Sequence, residues 1–234
     1  MANSSKNGNK YEKQVYNIIK NTCIDGEPFI TQKEEELGGS SIRNDIVFNY
    51  NNETYGLEIK TAKTPDWMQC SIKYNNETEK WEGTKKCKIP NECREMFDKL
   101  INNINLYNGD IPPIKCITND KWLKIKSKTD KWDDHYIDIP SDTIRKLYLQ
   151  KGCQYIQISN GYGLYRLGED PCGFGVPKFK VEQRIRIRIK PHSTRKDGTR
   201  SLSVMAACQP ENIKKLTPSP YSLDKKNKLP TKLQ

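Results

Sequence analysis

The sequence predicts an α/β fold, with a central mixed β-sheet flanked by helices and a β-rich C-terminal elaboration. Apolar residues recur at helical spacing in residues 10–23, and apolar and polar residues alternate in the stretches that follow. Further helical patterns cover residues 91–107 and 141–150. We expect one domain over residues 1–216 and a flexible basic tail over residues 217–234, where prolines stand among lysines.

The opening segment reads as a helix followed by a three-strand meander. Tyr11, Val15 and Ile18 share one face of the helix, and Glu12 lies near its apolar edge. The strand candidates that follow are Phe29–Lys33, Ile42–Phe48 and Thr54–Thr61.

The second and third strand candidates form a predicted hairpin that brings two acids together. Asn51 and Asn52 supply a two-residue turn, because asparagine tolerates the positive φ that such turns require. This register places Asp45 directly opposite Glu58 on one face, with Cβ atoms roughly 4.5 to 5.5 Å apart. Lys60, two residues after Glu58, projects from the same face.

This arrangement predicts a metal-dependent site. Facing carboxylates repel each other unless one is protonated or a cation lies between them. Mg²⁺ prefers oxygen ligands and keeps several waters, so Asp45, Glu58 and a substrate phosphate could hold it. Lys60 could activate water and offset charge on the phosphate, which suits phosphodiester hydrolysis. The alternative is that these alternating charges are simply the solvated face of a strand.

Residues 8–70 resemble the PD-(D/E)XK nuclease superfamily, which includes many type II restriction endonucleases and the archaeal Holliday-junction resolvases. The resemblance implies a restriction-endonuclease-like core, with Asp45 and Glu58 as Mg²⁺ ligands, Lys60 as the catalytic lysine and Glu12 as an accessory ligand. Asn44 stands where the motif has proline. One glutamate of the run at residues 34–36 could replace Glu12 as the third acid, although a solvated run is the simpler interpretation.

A basic strand is the second functional signal. Residues 178–200 carry nine Lys or Arg against two acids, which accounts for +7 of the net charge of +11. We predict a β-ribbon over residues 178–207 that contacts DNA, since arginine binds phosphates and guanine edges. The alternative is an edge strand that charge keeps soluble. The predicted DNA-binding residues are Arg184, Arg186, Arg188 and Lys190 on one strand face and Arg195, Lys196 and Arg200 in the turn after it.

Together these features predict a Mg²⁺-dependent type II restriction endonuclease that cuts double-stranded DNA as a homodimer. Its catalytic core would comprise residues 8–70 and 114–167. The alternatives are a structure-specific repair or recombination nuclease and a DNA-binding module without catalysis. No apolar run of membrane-spanning length and no leader-like segment is visible, so we expect a cytoplasmic protein that needs no membrane. The eight cysteines lack zinc-site spacing and are expected to be reduced thiols.

Overall fold

A computed structural model describes most of the chain and divides it into two compact units. The described residues are 3–37, 44–63, 66–84, 117–127 and 133–233. Unit 1 comprises Met1–Pro65, Ser141–Glu182 and Pro210–Gln234, and unit 2 comprises Asp66–Pro140 and Gln183–Gln209. The expectation of one domain over residues 1–216 stays a prediction beside this division. The predicted helix over residues 91–107 lies outside the described residues.

Both helices and strands are present, which confirms the α/β class. In chain order the elements are α1 (Asn3–Ile19), β1 (Cys23–Ile24), β2 (Glu27–Pro28), β3 (Ile46–Tyr50), β4 (Glu53–Lys60), β5 (Trp67–Asn75), β6 (Lys80–Gly83), β7 (Ile117–Thr118), α2 (Asn119–Ser127), β8 (His135–Ile139), α3 (Thr143–Gln150), β9 (Cys153–Ile158), β10 (Gly163–Arg166), β11 (Gln183–Pro191), β12 (Thr199–Arg200) and β13 (Leu202–Pro210). Short 3-10 turns cover Glu34–Glu36, Ile213–Lys215 and Lys226–Lys228.

Unit 1 contains a four-stranded mixed sheet in the order β10-β9-β4-β3. Strands β4 and β9 are parallel, and the other neighbours are antiparallel. The β3–β4 hairpin has the predicted register, from Ile46 opposite Leu57 to Tyr50 opposite Glu53. Asn51 and Asn52 form its turn with φ of 50° and 63°. Periodicity and turn chemistry together were enough to fix this register.

Helix α1 begins before the predicted residue 10 and ends at Ile19. It packs on the sheet face that presents Phe48, Leu57 and Ile59, and Val15 is fully buried there. Helix α3 belongs to the same unit and contacts β9.

The strand predicted at Phe29–Lys33 is wrong. Phe29 and Ile30 are buried in the core cluster without joining a ladder. Next to them, the side chain of Gln32 accepts a hydrogen bond of 2.8 Å from the backbone N–H of Val47 in β3. A side chain therefore satisfies a donor of β3 that a neighbouring strand would otherwise have used.

Unit 2 contains a five-stranded sheet in the order β6-β5-β13-β11-β8. The predicted basic strand is β11, and its alternating burial confirms that Ile185, Ile187 and Ile189 point inward. However, β11 lies between β13 and β8, so it is neither an edge strand nor part of a free two-stranded ribbon. The ribbon predicted over residues 178–207 is corrected accordingly, since neighbouring strands cover both of its sides.

The predicted flexible tail at residues 217–234 is instead packed onto unit 1. Leu223 and Leu233 are buried in the core cluster that contains Tyr11. The amide of Gln157 donates to Ser222 Oγ at 3.0 Å and accepts from the Leu223 N–H at 2.9 Å. The four lysines and three prolines of this segment suggested a solvated tail, but its leucines bury apolar surface that anchors it.

Two further features concern the cysteines and the helices. Of the cysteines that the structure describes, Cys23, Cys153, Cys172 and Cys208 are free thiols, whereas Cys70 is disulfide-bonded. The expectation of reduced thiols is therefore confirmed for these four cysteines and is wrong for Cys70. No helix among the described residues has both the length and the apolar character needed to span a bilayer.

Candidate active site

Two buried carboxylates meet at the open end of the β3–β4 hairpin. Asp45 immediately precedes β3, and extension of the observed register places it opposite Glu58. Asp45 Oδ2 accepts a 2.8 Å hydrogen bond from the backbone N–H of Ile59, which fixes its orientation. Only 7% of Asp45 and 2% of Glu58 is exposed, so both acids lie in a medium where charge is costly.

Lys60 lies between these acids. Its Nζ is 3.5 Å from Asp45 Oδ2 and contacts Glu58 Oε1 directly. Burial opposes the charge on Lys60, but the two carboxylates outweigh this effect and raise its pKa well above the ordinary value. Sequence reasoning thus placed these three residues together, and the structure does the same.

A second lysine, which sequence reasoning missed, completes the charge balance. Lys151 directly follows α3, and its Nζ lies 2.8 Å from Glu58 Oε2. Burial favours the neutral form of Glu58, yet Lys60 and Lys151 reverse this preference and lower its pKa. The helix prediction ended one residue before Lys151, and the sequence carries no local signal for the parallel pairing of β4 with β9.

The ring of Tyr148 packs against the ammonium groups of Lys60 and Lys151. Its centroid is 5.6 Å from Lys60 Nζ and 5.8 Å from Lys151 Nζ, within the range of cation–π attraction. Burial raises the pKa of Tyr148 well above its usual value. The hydroxyl remains protonated and is buried without a hydrogen-bond partner among the described residues.

Asn44, which replaces the proline of the motif, has a packing role. Its amide occupies the place that a Cβ atom at residue 56 would take, so a side chain at that position would force Asn44 to move. Asn44 Oδ1 also accepts a 3.1 Å hydrogen bond from the thiol of Cys153. This side chain therefore joins β9 to the segment that carries Asp45.

Glu12, and not the glutamate run, is the third acid near the pair. Burial, followed by repulsion from Asp45, raises the pKa of Glu12 to about 7, although Lys60 opposes the shift. Its Oε2 atom is buried and has no hydrogen-bond partner within the described part of the chain. Residues 34–36 are all exposed, and Glu34 pairs with Lys13 at 3.3 Å.

The donor chemistry fits a hard divalent cation. Asp45, Glu58 and Glu12 offer carboxylate oxygens, the ligand type that Mg²⁺ prefers. The oxygen of Glu12 without a partner is one such donor. Among the described residues, no group of three Asp, Glu, His or Cys side chains is already arranged to hold a metal ion. The ammonium groups of Lys60 and Lys151 neutralise Glu58 instead, so a cation would have to displace at least one of them.

The predicted DNA-binding arginines of β11 belong to unit 2 and already have partners. Arg186 pairs with Asp134 at 2.6 Å and with Asp66 at 3.3 Å, and Arg188 pairs with Asp66 at 2.7 Å. Arg184 donates to Gln209 Oε1 at 3.2 Å and stacks 4.1 Å over an aromatic ring of β8. These side chains hold their own sheet together, a role that the alternation of charges did not reveal.

The remaining predicted DNA-binding residues lie at and beyond the end of β11. Arg195 and Lys196 are exposed in the turn, and Lys190 is partly exposed. Arg200 is partly buried and donates to Thr194 Oγ1 at 2.7 Å.

Comparison with known proteins gives no information on this site. No protein-family model, no curated protein and no solved structure matches the chain. The resemblance to the nuclease superfamily therefore stays a prediction from the sequence spacing of Asp45, Glu58 and Lys60.

Proposed function

We propose that this protein is a Mg²⁺-dependent endonuclease that hydrolyses phosphodiester bonds of double-stranded DNA at a specific short sequence. The observation that carries the proposal is the position of Lys60 Nζ, 3.5 Å from Asp45 and in contact with Glu58 at the end of one hairpin. Two acids and a lysine converge there, and the nearby Oε2 atom of Glu12 has no hydrogen-bond partner among the described residues. When Glu12 is counted, three acids share the two lysines Lys60 and Lys151, one acid more than ion pairing alone needs.

The role of each side chain follows from its charge and surroundings. Asp45 and Glu58 would hold the cation, which when bound supplies Lewis-acid polarisation of the phosphate and a more acidic water. Lys60 stabilises negative charge that develops on the phosphate, and its partial burial strengthens this effect because water screens it less. Glu12, with a pKa of about 7, can accept or release a proton near neutral pH.

DNA binding is supported by charge more than by placement. The chain carries a net charge of +11, which favours a polyanionic partner. Lys190, Arg195 and Lys196 retain at least partial exposure, and we assign them to the DNA backbone. We also propose a homodimer, because two active sites related by a two-fold axis suit the cutting of both strands at a palindromic sequence.

The direct test is digestion of unmethylated genomic DNA with Mg²⁺, followed by sequencing of the ends. One recurring sequence at the ends supports the proposal, and no cleavage with retained binding would support a DNA-binding module.

Asp45→Asn should abolish cleavage without loss of DNA binding. Glu53→Gln is the matched control, because Glu53 lies on β4 but is exposed. Cleavage by Asp45→Asn at the wild-type rate would refute the assignment.

A structure-specific nuclease is the second candidate, and the pairing of the β11 arginines favours it. Arg186 and Arg188 are held by aspartates, so they are less available to read base edges than the sequence suggested. An enzyme that recognises DNA shape does not need such readers. Preferential cleavage of a four-way junction over linear duplex would select this candidate.

A further inference from the structure

Glu58 is held by two ammonium groups, one on each carboxylate oxygen. Lys60 contacts Oε1, and Lys151 lies 2.8 Å from Oε2. The side chain of Lys151 is only 8% exposed, so water screens this pair poorly. Lys151 directly follows α3, beside Tyr148, and is brought to Glu58 by the pairing of β9 with β4.

The two lysines differ in what they contact. Lys60 lies between Asp45 and Glu58, so it keeps a carboxylate partner if one acid turns to a cation. Lys151, in contrast, is paired with Glu58 through the oxygen that a cation would need in order to bind there fully. A divalent ion on Glu58 must therefore displace this ammonium group or tolerate its repulsion at short range.

We propose that Lys151 competes with the divalent cation for Glu58 Oε2 and thereby sets the cation affinity of the site. The inference rests on the proposed function. Without the cation, Lys151 balances a buried carboxylate that would otherwise be costly. With the cation, the ammonium group withdraws from Oε2. Lys151 is thus a positioning residue that acts through Glu58.

Direct measurement of Mg²⁺ binding by isothermal titration calorimetry, without DNA, tests the competition. Lys151→Met keeps the length of the side chain and removes its charge, so the variant should bind Mg²⁺ at least about tenfold more tightly than the wild type. A merely structural role predicts the opposite, because a displaced Glu58 would bind the ion more weakly. Unchanged or weaker binding by the folded variant overturns the proposal.

Lys146→Met is the matched control. Lys146 lies on α3, the helix that Lys151 follows, is exposed and pairs with Asp142 at 2.9 Å. Its loss should leave the Mg²⁺ affinity within about twofold of the wild type, since exposed pairs contribute little and are screened. A tenfold gain in this variant too would show a general charge effect and would overturn the specific role of Lys151.

A measurement on the unaltered protein covers the case in which Lys151→Met fails to fold. Lysine acylation followed by mass spectrometry should label Lys151 faster with Mg²⁺ than without it, because the ammonium group leaves Glu58. Equal labelling overturns the competition.

If the wild type and Asp45→Asn bind Mg²⁺ equally, the proposed function itself fails. If Asp45→Asn binds more weakly and Lys151→Met does not bind more tightly, only the role of Lys151 fails.

Discussion

Neutralising Glu58 should destabilise the fold much more than neutralising Asp45. In Glu58→Gln the amide offers one acceptor oxygen where the carboxylate served two ammonium groups, Lys60 and Lys151. One buried lysine then faces an N–H₂ group. Breaking a buried ion pair from one side typically costs about 3 to 5 kcal/mol, so we expect a loss of about 3 kcal/mol.

Asp45→Asn also removes one negative charge, but Glu58 keeps both of its ammonium partners. Lys60 keeps its contact with Glu58, and the Asn side-chain oxygen can still accept the hydrogen bond from Ile59 N–H. The expected loss is about 1 kcal/mol, the usual value for weakening one hydrogen bond. For this reason Asp45→Asn is the cleaner probe of catalysis.

Urea denaturation in Mg²⁺-free buffer checks this ranking. Circular dichroism is the appropriate signal, because the buried tryptophans Trp67, Trp81 and Trp122 all belong to unit 2. The double variant Glu58→Gln/Lys151→Met should recover about 1 to 2 kcal/mol, since it also removes the stranded charge. A Glu58→Gln protein as stable as the wild type, or less affected than Asp45→Asn, would refute the reasoning.

Three further predictions follow from the described contacts. Glu12 holds a proton in the fold up to about pH 7 but in the unfolded chain only to 4.5, so its contribution to stability declines as pH rises through that window. In Glu12→Gln the unfolding free energy should fall by about 1 kcal/mol less over this pH range than in the wild type, after allowance for solvent screening. Urea titrations at several pH values measure this, and identical plots of unfolding free energy against pH for the two proteins would contradict it. Arg186→Ala should lower the unfolding free energy by about 1 to 2 kcal/mol, because Asp134 loses its ion-pair partner. Thermal unfolding measures this loss, and an unchanged Tm would contradict it. Lys196→Ala should leave Tm unchanged and reduce the slope of log affinity for DNA against log salt by about 0.9; an unchanged slope would exclude a phosphate contact.

The sequence predicted local structure well where two independent patterns agreed. Alternation fixed the faces of β3 and β4, and the Asn51–Asn52 turn fixed their register. Together they determined that Asp45 faces Glu58. The alternation of β11 also gave the correct inward face. Its neighbours could not be predicted, because strand order in a sheet depends on pairings between segments distant in the chain.

Contacts between distant segments account for what sequence reasoning missed, and they change the interpretation of charge. Lys151 is 93 residues from Glu58, and Arg186 is 120 residues from Asp66. In each case a cation that looks solvated in the sequence meets an acid in the fold, where Glu58 is buried and Asp66 is partly buried. A basic composition therefore overstates the charge available to a nucleic acid. The side chains that remain for DNA are those at exposed positions such as Lys196, whereas the buried lysines serve the carboxylates on which the proposed chemistry depends.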